Sequence, residues 1–504
     1  MTTMNLGFEQ SLWDMADKLR GNIESSEYKH VVLGLIFLKY ISDGFEEKYN
    51  QLATDGNDEE EIADAYIADN VFFVPADARW EIIKNHAKQP NIGQIIDNAM
   101  IVLEKNNPSL KGVLPKNYAR PEIDKTRLGE LVDLFSFKIG DKESRAKDVL
   151  GRVYEYFLSN FGSSEGEFYT PPSIVKLLVQ MIEPYEGRVY DPCCGSGGMF
   201  VQSQKFVEEH CGRKGAIHIY GQEYTATTWR LCKMNLAIRG IDGNLGERDA
   251  DTFSNDLHKN LRADYILANP PFNIKDWGGD RLKDDARWKY GTPPANNANY
   301  AWISHIISKL SPRGIAGFVL SNGSMSTNIR EEFEIRKNII EAGLVDCIIT
   351  MPTNLFYTVT IPVCLWFITK EKKPHTNAQN GHDRKNEILF IDARRLGTMV
   401  TRKHRELSED EIKLVADTYH KWKYDKGYAD IKGFCKVSLL DEVRRHEYIL
   451  TPGRYVGLEE ASVDSEPFED KMQRLTSELA EMFAKSIHLQ DEVRQKLGSI
   501  GFDF

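Results

Sequence analysis

The sequence of 504 residues is poor in the features that secreted and membrane proteins carry. No apolar run approaches the roughly 20 residues that a membrane-spanning helix needs. The segment Met1–Gln10 lacks the basic and apolar regions of a signal peptide. The cysteines number seven, which is odd, and none forms a C-x-x-C pair, so a disulfide framework and a zinc site are both disfavoured. These absences predict a protein of the reducing cytoplasm that uses neither a membrane nor a metal.

Positive charge is also scarce, with 64 Lys and Arg against 75 Asp and Glu and a net charge of −11. A protein that holds DNA alone usually has a basic balance, because phosphate neutralisation dominates its affinity. If this chain acts on DNA, we therefore expect a partner to supply much of the DNA-binding affinity. The best basic cluster is Arg402-Lys403-His404-Arg405, for which a solvated loop is the simpler interpretation.

The length suggests two or three domains, and the first, residues 1–148, has a helical pattern. The stretch Val31–Leu38 is apolar on all sides, which predicts a buried helix. The stretch Asp55–Glu61 is acidic and is predicted to be a loop. Apolar residues also recur at helical spacing near the N-terminus: Leu12, Met15, Ala16, Leu19 and Ile23. No catalytic constellation occurs here, so we interpret the segment as a helical interaction domain.

From about residue 150, short β-rich runs alternate with helical stretches, which predicts an α/β domain over residues 149–460. Such alternation is typical of a mostly parallel sheet with helices on both faces. The predicted strands are Arg188–Asp191, Ile217–Glu223, Asp264–Ala268, Gly314–Leu320, Val345–Met351, Val363–Thr369 and Glu387–Ile391. Residues 372–386 are polar and are predicted to be a loop. Ligands of such sheets bind beyond the carboxyl ends of the strands, where the motifs below all fall.

The C-terminal segment, residues 461–504, shows an a/d heptad pattern from Phe468 to Val493. One series is Phe468, Leu475, Met482 and Leu489, and the interleaved series is Met472, Leu479 and Val493, with Ser486 as its polar member. The pattern is compatible with docking on the chain's own domain and with a coiled-coil contact to a partner.

A glycine-rich turn follows the first predicted strand and reads Asp-Pro-Cys-Cys-Gly-Ser-Gly-Gly over residues 191–198. Glycines permit a tight turn and let backbone N–H groups approach a ligand closely. The turn matches neither a Walker phosphate loop nor a dinucleotide fingerprint. Asp191 suits a ligand with an amino group, such as the methionine part of S-adenosylmethionine. The residues of the turn proposed to hold it are Gly195, Ser196, Gly197 and Gly198.

Acidic residues also follow the next two strand regions. Glu223, at the end of the second strand, can accept hydrogen bonds from ribose hydroxyls. An Asp in the run Asp249-Ala250-Asp251-Thr252-Phe253 can accept from the exocyclic amine of a cofactor adenine, and from the residues alone Asp249 and Asp251 compete for this role.

The fourth strand region ends in Asn269-Pro270-Pro271-Phe272. The prolines fix φ and remove two N–H donors, which leaves carbonyls projecting from a rigid turn. The Asn269 side-chain oxygen and the Pro270 carbonyl offer two acceptors, which suits an NH₂ group with two hydrogens. Accepting both hydrogens localises the nitrogen lone pair toward a methyl donor, so direct transfer needs no covalent enzyme intermediate. Phe272 can stack on a base that has left the duplex.

Two nearby features are weaker. A pyrimidine C5 methyltransferase would need a cysteine nucleophile, typically in Pro-Cys, but Cys193 lies in the glycine-rich turn, so we interpret Cys193 and Cys194 as packing residues. A segment before a predicted helix could close over the cofactor, although a helix start with proline in its first turn is the simpler interpretation. It comprises Glu167, Phe168, Tyr169, Thr170, Pro171 and Pro172.

Taken together, the chain resembles the modification (methylase) subunits of type I restriction-modification systems over nearly its whole length. The motifs at residues 168–171, 191–197, 223 and 269–272 occur in that family's order. Further matches are Leu35–Asp43, Asn299–Ile303, Leu320–Gly323, Ile335–Lys337, Asn354–Tyr357 and Thr451–Val456.

The resemblance implies a Rossmann-like S-adenosylmethionine-dependent methyltransferase domain between a helical N-terminal domain and a helical tail for subunit contact. It implies adenine-N6 methylation of double-stranded DNA, with residues 167–172, Asp191, Gly195–Gly198 and Glu223 at the cofactor. It favours Asp251 as the contact to the adenine of the cofactor. It assigns the binding of the target adenine in DNA to residues 269–272. A separate specificity subunit, a second methylase subunit and a restriction (motor-nuclease) subunit are the implied partners. The stretch Asn273–Asn299, rich in Gly, Asp and Lys, is predicted to be a mobile substrate loop.

Two other functions stay open at this point. Asn-Pro-Pro-aromatic motifs also occur in enzymes that methylate guanine in ribosomal RNA or glutamine side chains in proteins, although those chains generally lack this helical head and heptad tail. A non-enzymatic assembly subunit that has kept the fold is the other alternative, against which the intact Asn269, Phe272 and Glu223 argue.

Overall fold

A nine-stranded sheet forms the centre of the structure, a computed structural model that describes residues 25–55, 60–67, 69, 71–135, 170–211, 215–356, 361–373, 383–402, 404–458 and 468–499. The chain divides into two units, Met1–Val456 and Gly457–Phe504. The sheet and the N-terminal helices both lie in the first unit. The predicted helical turns over residues 12–23 lie outside the described residues.

The N-terminal helices are α1 Ser25–Asp55, α2 Ala63–Ile67, α3 Trp80–Asn85, α4 Ile92–Asn106 and α5 Lys125–Leu134. The apolar stretch Val31–Leu38 lies within α1, and its apolar side chains are all buried, which confirms the predicted buried helix. Asp124 caps α5 by accepting from the backbone N–H groups of Thr126 and Arg127. The core of this helical head also includes Leu231, Met234 and Ile238 of the α/β part of the chain. The head is therefore packed directly on the α/β part.

The strands follow the predicted runs closely. They are β1 Gly187–Asp191, β2 Ile217–Gly221, β3 Gly243–Asn244, β4 Ala263–Ala268, β5 Leu310–Ser321, β6 Val345–Thr350, β7 Val363–Thr369, β8 Glu387–Asp392, β9 Thr398–Met399, β10 Arg405–Glu406 and β11 Cys435–Leu439. The order in the large sheet is β11-β8-β6-β7-β5-β4-β1-β2-β3. β9 and β10 form a separate antiparallel hairpin.

Most of the sheet is parallel, as predicted. β7 is the exception within it, because it lies antiparallel between β5 and β6. The edge strand β11, which the sequence did not indicate, is antiparallel to β8. Every residue of β7 is buried, and a strand that is buried on both faces shows the same apolar run in either direction. The pattern therefore revealed the strand but not its direction.

Helices cover both faces of the sheet. They are α6 Pro172–Ile182, α7 Gly198–Cys211, α8 Ala226–Ala237, α9 Asn299–Lys309, α10 Arg330–Glu341, α11 Glu409–Lys423 and α12 Leu440–Arg445. Apolar residues of α6, α7, α8 and α11 share one buried core, and those of α9, α10 and α12 share another. A Ser408–Glu411 capping box begins α11. This two-faced arrangement is the doubly wound architecture that the alternating pattern predicted.

The second unit contains the helix α13, Phe468–Ser499. Apolar side chains along it are largely exposed: Met472, Leu475, Leu479, Met482, Phe483, Ile487 and Leu489. Several of them are the predicted heptad residues. Within the part of the chain that the structure describes, no helix combines the length and apolar character that crossing a membrane requires.

Candidate active site

Three groups of predicted site residues lie beyond the carboxyl ends of β1, β2 and β4: the glycine-rich turn, Glu223 and the tetrapeptide Asn269–Phe272. These strands are parallel, so their ends meet at one edge of the sheet. The connections from β1 lead outward to β2 and β3 on one side, whereas β4 and β5 continue on the other. Strand order thus reverses between β1 and β4, which is the position where open α/β sheets bind their ligands.

The glycine-rich turn after β1 is held by the loop after β2. Cys194 N donates to Gln222 O at 3.0 Å, and Gln222 N donates to Asp191 O at 3.0 Å. Gly195 and Gly197 have φ values of 53° and 84°, in the left-handed region that favours glycine. A Cβ on Gly197 would lie 2.8 Å from the Cys232 sulfur, whereas a Cβ on Gly195 would meet nothing within 4 Å. The backbone at Gly195 is therefore open to a ligand.

Two buried carboxyl groups flank this turn. Asp191 Oδ1 accepts from Cys193 N at 3.0 Å. The pKa of Asp191 is raised to about 7, mainly because the carboxyl is buried; hydrogen bonds with Cys193 oppose this rise, and the charge of Glu223 adds to it. Glu223 accepts from Gly195 N at 3.0 Å and from Thr225 N at 2.9 Å. The site therefore concentrates negative charge beside open backbone, an arrangement that attracts a cationic ligand.

The two cysteines of the turn pack as predicted. Burial, followed by the charges of Asp191 and Glu223, raises the pKa of the Cys193 thiol well above its ordinary value. The Cys194 thiol, hydrogen bonded with Cys232 and buried, also has a strongly raised pKa. The thiolate is the nucleophilic form of cysteine, so neither residue suits the attack that a pyrimidine C5 methyltransferase requires.

The loop after β3 reaches the same turn. Thr252 Oγ1 donates to Pro192 O at 2.6 Å, and Ala250 N donates to Glu223 O at 2.8 Å. Asp251 Oδ1 accepts from both the backbone N–H and the hydroxyl of Ser254, at 2.6 Å and 2.8 Å. Asp249, like Asp251, is half-buried. Both remain candidates for the contact to the cofactor adenine, and the resemblance to the methylase subunits continues to favour Asp251.

Asn269 connects the tetrapeptide after β4 to the start of α6. Its Nδ2 donates to Thr170 Oγ1 at 3.0 Å, across 99 residues of sequence. Thr170, Pro171 and Pro172 thus lie beside the tetrapeptide, as the motif order implied. Glu167, Phe168 and Tyr169, also predicted at the cofactor, lie outside the described residues. The thiol of Cys193 hydrogen bonds with Asp191 and with the backbone of Asn269, so the glycine-rich turn and the tetrapeptide adjoin.

The aromatic end of the tetrapeptide is supported from two directions. The Phe272 ring meets the buried Phe356 ring edge-to-face, with centroids 6.3 Å apart. Asn273, which has a φ of 58°, donates from its N to Asn299 Oδ1 at 3.0 Å and accepts from Asn299 Nδ2 at 2.8 Å. Because Asn299 begins α9, the tetrapeptide is anchored to a helix of the domain.

The stretch Asn273–Asn299 differs from its prediction. Trp277 and Trp288 of this stretch are buried and pack with Phe253 and Trp302 in one aromatic cluster. The distance between the Phe253 and Trp277 ring centroids is 5.0 Å. A stretch with its own buried aromatic side chains does not fit the predicted mobile loop, because each ring buries a large apolar surface.

Sequence reasoning missed the buried network of Arg287. Its NH1 donates to Thr252 O at 3.0 Å and contacts His305 Nδ1 at 3.1 Å. Its NH2 donates to Phe253 O at 2.5 Å and pairs with Asp285 at 2.7 Å. His305 Nε2 lies 3.2 Å from the Tyr190 hydroxyl on β1. The only signal in the sequence was one of several basic residues in a polar stretch, and such residues are usually solvated.

Burial lowers the pKa of His305 well below its ordinary value, and the charges of Arg287 and Lys309 lower it further. The ring is therefore neutral. Because arginine only donates, His305 Nδ1 accepts from Arg287, and its Nε2 carries the hydrogen that the Tyr190 hydroxyl accepts. Within the described residues, no cluster of His, Cys, Asp and Glu has the arrangement of a metal site.

Comparisons with known proteins assign the chain to a family. The N-6 DNA Methylase family matches residues 145–464, and the HsdM N-terminal domain matches residues 8–135. The chain is 44% identical to the Type I restriction enzyme HindI methylase subunit of Haemophilus influenzae, over 85% of this chain and 100% of that protein. It is 39% identical to the MjaIX methylase subunit of Methanocaldococcus jannaschii, over 98% of this chain and 92% of that protein.

A solved structure gives the same fold. The type I restriction-modification methyltransferase subunit from Streptococcus thermophilus superposes with a TM-score of 0.73 at 23% identity, over 89% of this chain and 98% of that chain. The predicted methyltransferase fold with a helical N-terminal region is confirmed. The match to the N-6 DNA Methylase family and the two methylase-subunit relatives lead to one assignment: the chain belongs to the methylase subunits of type I restriction enzymes and is a DNA adenine methyltransferase.

Proposed function

We propose that this chain transfers the methyl group of S-adenosylmethionine to N6 of an adenine that has left the DNA helix, at sites that a separate specificity subunit selects. The observation that carries the proposal is the contact between the cofactor turn and the tetrapeptide. Asp191, Cys193 and Asn269 form one hydrogen-bonded group at the switch point of the sheet.

The cofactor half of the site fits S-adenosylmethionine. The buried carboxyl groups of Asp191 and Glu223 suit a ligand with a positive amino group, and the open backbone at Gly195 and Gly198 admits close approach. Ser196 and Gly197 complete the turn, and residues 167–172 and Asp251 are proposed to complete the cofactor site. When bound, the cofactor supplies a methyl group on positively charged sulfur, ready for direct attack.

The substrate half fits an aromatic amine. With Nδ2 held by Thr170 at 3.0 Å, Oδ1 is the atom of the Asn269 amide that serves as an acceptor. We propose that it accepts one hydrogen of the adenine amino group while the Pro270 carbonyl accepts the other. The rigid Pro270-Pro271 backbone keeps these acceptors fixed during transfer.

Phe272 is proposed to stack on the adenine. Stacking on an aromatic side chain is worth roughly 1–3 kcal/mol per base, which offsets part of the few kcal/mol that extracting the base requires. Phe356 holds the Phe272 ring edge-to-face, so the ring is oriented before a base arrives. Stacking on a ring that is already oriented loses less conformational entropy.

The proposed partners are inferred from the net charge of the chain and from the exposed apolar side chains of its C-terminal helix α13. A net charge of −11 favours sharing the grip on DNA with a specificity subunit and with a second copy of this chain. The exposed apolar side chains of α13 supply a surface for contact with the specificity subunit. A restriction (motor-nuclease) subunit is the further partner that the family relationship suggests.

Asn269→Ala tests the catalytic assignment. We expect the complex of this variant with the specificity subunit to transfer methyl groups to DNA at least 100-fold more slowly, because losing one group that stabilises a transition state typically lowers the rate by that factor. Its affinity for S-adenosylmethionine should stay within about threefold of the parent value. Asn98→Ala, on an exposed position of α4, is the control and should methylate normally. Normal methylation by Asn269→Ala would remove the proposed role of the tetrapeptide.

Thr170 provides a second, graded test. Thr170→Ala removes the hydroxyl that holds Nδ2, so we expect kcat to fall roughly tenfold, which corresponds to about 1.4 kcal/mol. Thr170→Ser keeps the hydroxyl and should restore most of the rate. If both variants lose activity equally, Thr170 acts through packing and not through the hydrogen bond.

A further inference from the structure

The most basic short stretch of this acidic chain follows β8. Residues 392–406 contain five Lys and Arg residues against Asp392, which pairs with Arg394, and Glu406, whereas the whole chain has a net charge of −11. Clustered cations in an otherwise acidic protein indicate a local anion-binding surface. The stretch contains the cluster Arg402-Lys403-His404-Arg405 for which the sequence favoured a solvated loop.

The structure gives this stretch a defined form. β9 and β10 pair as a hairpin, with Met399 opposite Arg405. The turn is closed by Val400 N, which donates to His404 O at 2.9 Å, and by His404 N, which donates to Thr401 Oγ1 at 3.0 Å. We call residues 397–402 and 404–406 the basic hairpin; Lys403 between them lies outside the described residues.

The basic hairpin lies at the edge of the sheet that carries the active site. β8 runs parallel to β6, and β6 runs in the same direction as β4, because both β5 and β6 are antiparallel to the β7 strand between them. The segment after β8 therefore leaves the sheet at the same edge as Asn269 after β4. It does so on the side of the sheet away from β1 and β2, which carry the cofactor turn.

A hydrogen bond ties the hairpin to the support of the stacking ring. Arg405 N donates to Asn354 O at 2.8 Å, two residues before Phe356, whose ring meets Phe272. The hairpin thus has a continuous connection to the tetrapeptide that is proposed to hold the adenine.

The side chains of the hairpin divide into two roles. Arg405 is structural, since its NH1 donates to Leu396 O, just before the hairpin, at 3.0 Å. Arg402 is exposed at the turn, and no ion pair holds it among the residues that the structure describes. Met399 and Val400 are 41% and 53% exposed beside it. Proteins that bind the minor groove of DNA combine basic side chains with inserted apolar ones, and the turn of the hairpin offers both.

We propose that the basic hairpin contacts DNA beside the target adenine. Arg402 binds a backbone phosphate, and Met399 and Val400 pack against the sugar and base surface that the exit of the adenine exposes. This inference rests on the proposed extraction of the adenine from the helix. It assigns a DNA contact to the methylase subunit itself, in addition to the grip of its partners.

The phosphate contact is tested through the salt dependence of DNA binding. In the complex with the specificity subunit, Arg402→Ala should lower the slope of log K against log salt by about 1, as the loss of one phosphate contact predicts. Arg313→Ala is the matched control, because Arg313 is exposed near the amino end of β5, at the opposite edge of the sheet. The slope of the control should equal that of the unaltered complex.

The apolar tip is tested with 2-aminopurine in place of the target adenine. The double variant Met399→Ser with Val400→Ser should reduce the fluorescence rise that reports base extraction by at least twofold, while DNA affinity changes less. Thermal melting checks that the variants keep the fold, which we expect because the tip is exposed.

Two results would overturn the proposal. One is an unaltered salt slope and an unaltered fluorescence rise in the respective variants, measured while the parent complex methylates the same duplex. The other is loss of the specificity subunit from Arg402→Ala with an unchanged slope, which would make the hairpin a protein interface. Methylation by the parent complex is a separate readout of the proposed function, so failure of the hairpin and failure of the function are distinguishable.

Discussion

Asn273 and Asn299 hold each other through two hydrogen bonds, one from the Asn273 backbone at 3.0 Å and one between their side chains at 2.8 Å. Asn273 directly follows Phe272 and has a φ of 58°, a conformation that costs most L-residues roughly 1–2 kcal/mol. Asn tolerates it better than most residues, and the bonds to Asn299 stabilise it. The pair therefore fixes where the tetrapeptide ends and where its ring projects.

Removing this pair should impair catalysis without impairing cofactor binding. Asn299→Leu leaves Asn273 N without its acceptor and leaves Asn273 Oδ1 with only the longer bond from the Ser321 hydroxyl at 3.4 Å, and an unpaired buried donor costs about 1–3 kcal/mol. We expect kcat for DNA methylation to fall roughly 10-fold or more, with the affinity for S-adenosylmethionine unchanged. Asn297→Ala is the control, since Asn297 Oδ1 bonds the same helix start through Asn299 N at 2.9 Å but does not bond to Asn273. Equal losses in both variants would show that only the helix start matters.

Arg287 should act as a positioning residue for the cofactor loop. Its guanidinium holds the carbonyls of Thr252 and Phe253 at 3.0 Å and 2.5 Å, next to Asp251. Lysine keeps the charge but lacks the planar fork that reaches several acceptors. We therefore expect Arg287→Lys to raise KM for S-adenosylmethionine about tenfold and to lower kcat less.

The control is Arg281→Lys, an exposed position of the same stretch, which should leave both constants unchanged. A KM for Arg287→Lys that equals the parent value, together with a lowered kcat or melting temperature, would assign Arg287 to stability alone.

Asp191 predicts a pH dependence of cofactor binding. Its pKa of about 7 lies above the ordinary value of 3.8 because the carboxyl is buried, so the folded protein holds a proton there below pH 7. Because the folded state binds this proton more tightly than the unfolded state does, the protonated carboxyl stabilises the fold at low pH. That contribution is lost as the pH rises through about 7. A cationic ligand favours the ionised form, so protons compete with it at low pH. We expect binding to be about tenfold weaker at pH 6 than at pH 8, since one proton competes with a pKa near 7.

Asp191→Asn is the reference for this measurement, because it retains any titration of the ligand itself. Calorimetric titrations at pH 6, 7 and 8 should show the tenfold difference in the parent chain relative to the variant. The same pH profile in both proteins would mean that Asp191 does not titrate with cofactor binding.

The exposed face of α13 should hold the specificity subunit. Leu479 and Met482 are 50% and 66% exposed, so replacing both with Asp should leave the helix intact and weaken any apolar contact that it makes. We expect the double variant, and truncation after about Glu466, to lose co-purification with the specificity subunit. Lys485→Asp is the control for added negative charge on the same helix. A truncated chain that still co-purifies would place the contact elsewhere.

Much of the fold was predictable because its strands are short apolar runs between polar turns. The run Val363–Thr369 was predicted with the bounds that β7 has. The direction of β7 was not predictable. An antiparallel strand with one solvated face alternates apolar and polar residues, but β7 is buried on both faces and shows no such alternation. The packed stretch after Asn273 was misjudged for a different reason. Trp277 meets Phe253 only in three dimensions, and local composition showed Gly, Asp and Lys.

The site shows the same division. Residues of one turn, such as Gly195 to Gly198 or Asn269 to Phe272, carry a local signal, because backbone geometry requires those residue types at that spacing. Pairs that are distant in sequence carry none. The Asn273–Asn299 pair spans 26 residues and the Asn269–Thr170 bond spans 99. Sequence motifs therefore pointed to some of these residues but could not predict which hydrogen bonds join them.

The apolar side chains of α13, between 41% and 66% exposed, also bear on how a cell controls the dosage of this enzyme. A copy of the chain in which no partner covers α13 leaves this apolar surface exposed, and such patches promote self-association. We expect surplus copies to aggregate or to be degraded, so that the amount of usable methylase follows the supply of its partner. Quality control of an orphaned subunit would thus limit methylation that no other chain directs.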